Sequence, residues 1–289
     1  ILLCLCKIQV EASDWLNRTV RVDLQTNRTG FAGEEKFLVN SEDALNGVNA
    51  TNGQHPWSVF IIAWVDMGGG FFSGTFCSSS IISKNFALTD ISCARLSECG
   101  PPLRRIEAFV GKASWSWPYP WGESLYMRHL WYIEPSAENS PNIVLLQFHQ
   151  TLTFNPNIQP IRLAAPGNFS YEGWASVFMG FNVLPNLELS ITLQLQSVHP
   201  SIRRNEECSH VGQLTDHDMC SIQEGRSRFP NQQVSGALVV YEYNEFDYHA
   251  SLVGIHQSQY ADENSTYRIA TRVSHFVEWI EVLTADVEN

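Results

Sequence analysis

Few side chains in this 289-residue chain stand in patterns that could do chemistry. The nine histidines, the natural bases and metal ligands, are scattered, and no acidic calcium loop is evident, so neither a metal nor a cofactor is expected. Five Asn-X-Ser/Thr triplets, at Asn17, Asn27, Asn49, Asn168 and Asn264, could carry glycans and would then mark exposed loops of an exported protein. The run Trp115-Ser116-Trp117-Pro118-Tyr119-Pro120-Trp121-Gly122 sets three Trp, one Tyr and two Pro in eight residues. Such a run is either a rigid partner-binding surface of the kind enriched in hot spots, or a set of rings folded back as core.

Charge and cysteines bound the rest. With 18 Lys+Arg against 30 Asp+Glu the net charge is −12, which disfavours nucleic acid and anionic membrane surfaces as partners. The apolar start Ile1-Leu2-Leu3-Cys4-Leu5-Cys6, followed by Val10-Glu11-Ala12, reads as the remnant of a secretory signal over residues 1–12. No other apolar run approaches the ~18 residues of a membrane span. Cleavage after Ala12 would leave 7 − 2 = 5 cysteines, still an odd number.

These groups need positioning, and the elements that could do it are strands. Charged residues are only 17% and aromatics 12%, which suits an all-β protein of short strands and turns. After a polar pro-segment or tail at 13–43, short apolar runs alternate with turn residues at 59–65, 77–82, 86–89, 106–110 and 143–148, and again at 175–179, 189–195, 237–241, 251–255 and 267–273. A connector near residue 155 divides them into two β units, about 58–150 and 160–272. Val273, Phe276, Val277, Ile280 and Leu283 then recur at helical spacing behind Ser274, which predicts a capped terminal helix over 274–284.

The ordered series Gly53-Gln54-His55-Pro56-Trp57, Cys77 to Cys93 around Ala87-Leu88-Thr89, Asn142-Ile143-Val144-Leu145-Leu146, Cys208 to Cys220, Ser235-Gly236-Ala237-Leu238-Val239-Val240, Val253-Gly254-Ile255 and Phe276-Val277-Glu278-Trp279-Ile280 resembles the trypsin-like (chymotrypsin-fold) serine protease family over residues 44–285. The resemblance implies two six-stranded antiparallel β-barrels flanking a cleft, a C-terminal helix, and disulfides Cys77–Cys93 and Cys208–Cys220. Cys99, in the turn Ser97-Glu98-Cys99-Gly100-Pro101-Pro102, is then left for an intermolecular disulfide.

Carried over position by position, the family's triad falls on Ser92 (base), Asn142 (orienting acid) and, of the two registers that place Ser235 or Val234 at the nucleophile, on Ser235, which matches more neighbours. A serine cannot take a proton near neutral pH, and Asp-to-Asn at the acid position costs about 10⁴ in turnover. Gln233 and Val234 replace the oxyanion-hole Gly and the following Asp, and Asp43-Ala44-Leu45-Asn46-Gly47 stands where a basic cleavage site would be. Phe229, Gln259 and Arg268 fall where they would occlude the specificity pocket. The expectation is therefore a chain that is no enzyme: a secreted, extracellular, non-catalytic homologue that binds a protease, zymogen or receptor as cofactor, decoy or adaptor in a proteolytic cascade, immunity or reproductive fluid. Two alternatives stand beside it. One is an active serine endopeptidase using an unrecognised base such as His256 or His217; the other is a carbohydrate or surface-recognition protein.

Overall fold

In the computed structural model, residues 15–26, 35–37, 47–94, 102–117, 124–134, 141–184, 191–224, 236–244 and 247–288 are described. The expected all-β architecture with a terminal helix is present, organised as one closed six-stranded barrel and one half-barrel. The barrel is built from β4 (Ser58–Gly68), β5 (Phe71–Ile81), β6 (Phe86–Thr89), β7 (Leu103–Val110), β9 (Leu125–Ile133) and β10 (Val144–Phe148), with β7 returning to β9 to close it.

β4 reads Ser-Val-Phe-Ile-Ile-Ala-Trp-Val without polar alternation, and all eight residues are buried. A strand loses alternation when both of its faces are covered, and Phe60 shows what covers one of them. The Phe60 ring lies 5.3 Å from Phe109 of the same barrel and 5.7 Å from Phe181 of the other sheet. At the far end the hairpin to β5 turns through Gly68, Gly69 and Gly70, whose φ values of 83, 64 and 85° lie where side chains are strained.

The second sheet runs β14 (Ser201–Arg203), β15 (Asp218–Glu224), β18 (Ser265–Arg272), β17 (Asp247–Ala261), β16 (Ala237–Asn244), β12 (Ser176–Leu184), β13 (Ile191–Val198) and β3 (Val48–Asn49), joined by β8 (Ser114–Trp117) and β11 (Arg162–Leu163). Among the described residues it does not close, for a visible reason. The outer edge of β13 is already taken, by β3 at Ser197 and Gln196 and by β8 from Gln194 to Ile191. The disulfides Cys77–Cys93 and Cys208–Cys220 are formed.

Three details differ from the sequence expectation. The stretch read as a polar tail supplies two strands to the first sheet: β1 (Thr19–Asp23), antiparallel to β9, and β2 (Glu35–Phe37), parallel to β5. The terminal helix spans Val277–Glu288, after a tight 3-10 turn at Val273–His275. Ser274 lies buried inside that turn and caps nothing, because burying Val273, Phe276 and Trp279 together draws the chain inward before the helix begins. Finally, Trp115 is core: its ring is 5.1 Å from Phe109, and β8 is zipped to β13. No helix among the described residues is long and apolar enough to cross a membrane.

Candidate functional site

The site begins where β6 ends. Asp90 follows Thr89 and precedes a one-turn helix, Ile91–Ala94, so its carboxylate sits at the helix N-cap. Its Oδ1 accepts the Cys93 backbone N–H at 3.2 Å, which satisfies a donor that the helix leaves open. The same oxygen accepts the hydroxyl of Ser92. The disulfide from Cys93 to Cys77 pins this turn to β5.

Asn142 approaches from the loop before β10. Its Oδ1 accepts the Ile91 N–H at 2.9 Å, and its Nδ2 donates to the His256 carbonyl at 2.8 Å. One buried amide thus ties the helix turn of the barrel to β17 of the half-barrel, and it uses both of its functions to do so. A carboxylate could keep the first bond and not the second, since it has no hydrogen to give.

The third wall is β16 and β17. Gly236 C=O accepts the His256 N–H at 2.9 Å. A Cβ at Gly236 would fall 2.5 Å from Phe178 Cζ and 2.7 Å from the Met179 carbonyl, so only glycine fits there. The His256 ring, 8% exposed, is 5.5 Å from Phe178. The guanidinium of Arg268 also lies over Phe178, 5.2 Å from the ring, and the residue is 1% exposed. Arg268 is paired across the ladder with Gln259. Burial pushes the Arg268 guanidinium down to about 9, and burial reinforced by the Arg268 charge pushes the His256 imidazole down to about 3.

Ser92 and Asn142 are therefore brought together around Ile91, and Arg268 with Gln259 lies on the opposite sheet, linked through Phe178 and His256. Ser235, Phe229, Cys99, Tyr119, Trp121 and Asn27 lie outside the described residues, as does residues 1–12. Asn17, Asn49, Asn168 and Asn264 occupy exposed positions. His217, considered as a stand-in base, faces Trp15, Phe276 and His275, with its Nδ1 2.8 Å from His275 Nδ1. His256, the other histidine considered, is buried against Phe178 and, with its pKa pushed down to about 3, would be a feeble base.

Asp90 was missed in the sequence. A carboxylate two residues before the base-equivalent serine is visible in Thr89-Asp90-Ile91-Ser92-Cys93, and an N-cap Asp with a Ser two residues on is a signal for the bond that forms.

A family model described as Trypsin matches residues 44–280. Among curated proteins the chain is similar to serine protease Hayan of Drosophila melanogaster, with 23% identity over 260 residues, covering 82% of this chain and 38% of that protein. It thus spans under two-fifths of the relative's length. Among solved structures it is similar to HL collagenase at a TM-score of 0.62 and 17% identity, covering 84% of this chain and 99% of the other, a likeness that shows the fold. These matches overturn the expectation that the chain is no enzyme: the family model and the sequence relative both place it among proteases.

Proposed function

Because this chain belongs to the trypsin-like serine protease family, we propose that it acts in an extracellular proteolytic setting by holding a protein partner (a protease, a zymogen or a receptor) as a cofactor, decoy or adaptor. The observation that carries the reading is the use made of Asn142. The acid-equivalent side chain is spent on a structural tie between Ile91 N–H and the His256 carbonyl, and Ser92 gives its hydroxyl to Asp90. Arg268, Gln259 and Phe229 are assigned in this reading to filling the family's specificity pocket, and the glycan acceptors at exposed Asn17, Asn49, Asn168 and Asn264 accord with secretion.

A second reading, a serine endopeptidase, is favoured by family membership itself and by the glycine enforced at 236 directly after Ser235. One experiment separates the two. The purified chain is mixed with a trypsin-like protease and its zymogen in a sedimentation assay, and alone with broad peptide substrates. Saturable complex formation without substrate turnover by the chain alone supports the binding reading; turnover that tracks labelling of Ser235 overturns it.

A further inference from the structure

Residues 15–25 are bound to the barrel in the manner of a docked peptide. The backbone of β1 pairs with β9 in a five-residue register, Thr19 opposite Ile133 through Asp23 opposite His129. The pairing is extended at both ends, by Glu134 N–H to the Arg18 carbonyl at 2.8 Å and by Leu24 N–H to the Arg128 carbonyl at 2.9 Å. Gln25 N–H then donates to the Arg104 carbonyl of β7 at 2.9 Å, so the segment spans the seam where β7 and β9 diverge.

Side chains anchor it at its start. Trp15, 5% exposed, is 5.0 Å from Phe276 and 5.2 Å from His217. Trp279 of the terminal helix donates its Nε1–H to Thr19 Oγ1 at 2.8 Å, and Thr19 in turn donates to the Trp15 carbonyl at 2.8 Å. Leu24 closes the far end, buried, and Leu16 and Val22 pack on the core. An extended strand supplying main-chain bonds, with one large aromatic in a pocket, is the pattern of peptide recognition by strand addition.

We infer that the β9 edge, together with Trp279 and Phe276, is a strand-docking site whose ligand is residues 15–25 of this same chain, and that it retains this segment when the chain is cut between β2 and β3. Once residues 1–12 are removed no cysteine occurs before Cys77 to tether the piece covalently, so retention comes from these contacts together with the pairing of β2 to β5, and the peptide exchange below isolates the share of residues 15–25. The two pieces would then remain one protein after proteolysis. This inference does not depend on what residue 235 does.

The test places a recognition sequence for a specific protease between residues 38 and 46 of the full chain, cuts it, and follows the N-terminal piece by gel filtration at micromolar concentration under non-reducing conditions. The piece is expected to co-elute. In the cut protein a labelled peptide of residues 15–26 should exchange into the site, with a dissociation rate that rises roughly tenfold or more when the peptide carries Trp15→Ala, as loss of a central aromatic anchor predicts. Separation of the unmodified piece while the remainder keeps its far-ultraviolet dichroism overturns the inference. So does a Trp15→Ala peptide that exchanges no faster than the parent sequence. Because the substitution is carried on the peptide, misfolding of a variant protein does not blur the result.

Discussion

Replacing Asn142 by Asp would restore the residue type that the family resemblance places at this position, and the structure predicts that it would harm the fold. The amide now accepts from Ile91 N–H and donates to the His256 carbonyl. A carboxylate keeps the first bond and sets a charged oxygen against the carbonyl at the former 2.8 Å separation. Leaving a buried carbonyl unsatisfied costs about 1–3 kcal/mol, and an uncompensated buried charge adds to it. In a working triad the neighbouring imidazole would offset that charge; Ser92 cannot. A total of ~3 kcal/mol at neutral pH follows. The new carboxyl would have its folded pKa raised by burial and by the facing carbonyl. Its penalty is therefore full above that folded pKa and fades as pH falls below it, where the protonated acid can donate to His256 again. Urea unfolding followed by Trp fluorescence at pH 7.5 and pH 5, with disulfides intact, reads both effects. An Asp variant as stable as the parent at pH 7.5, or one whose deficit grows on acidification, would refute the reasoning.

Other outcomes follow from the same geometry. Gly236→Ala forces a Cβ into Phe178 and the Met179 carbonyl, so a loss of roughly 1–3 kcal/mol is expected in thermal unfolding, whereas Gly68→Ala meets no atom within 4 Å and is limited to its backbone strain. Burial lowers His55 to about 4 and His256 to about 3. Both folded values lie below the unfolded one near 6.5, so the folded state is favoured fully above pH 6.5 and loses about 1.4 kcal/mol per group for each pH unit from there toward 4; urea midpoints from pH 7 to 4.5 should fall, and should fall less in a His55→Gln variant. Trp115→Ala empties the space beside Phe109 and should cost about 3–5 kcal/mol and much of the secreted yield, while Trp121→Ala should spare secretion and weaken partner binding. Equal loss of secretion for both would mean that Trp121 packs as Trp115 does.

The strands of the two sheets were legible because alternation and short apolar runs report burial directly, and the ordered cysteines and glycines added the topology. β1 was not, although Thr19-Val20-Arg21-Val22-Asp23 does alternate. An edge strand with one wet face carries only two apolar residues in five, and a glycosylation triplet beside it reads as loop. The terminal helix was recognised by its spacing but started three residues late, since a 3-10 turn and an α-turn bury Val273 and Phe276 equally well and only packing decides between them. At the candidate site, Ser92 and Asn142 could be located by resemblance. What Asn142 does could not, because its partner is a backbone carbonyl 114 residues away, and backbone carries no mark in a sequence. The aromatic run was ambiguous for a related reason: composition cannot tell a Trp that faces a partner from one that, like Trp115, faces Phe109.

The central proposal, that this member of the trypsin-like serine protease family holds an extracellular protein partner, is tested most directly by sedimentation velocity of the purified chain mixed at micromolar concentration with a trypsin-like protease or its zymogen. The account predicts a saturable complex of defined stoichiometry with one of the two. Independent sedimentation of the chain at every concentration of both would contradict it.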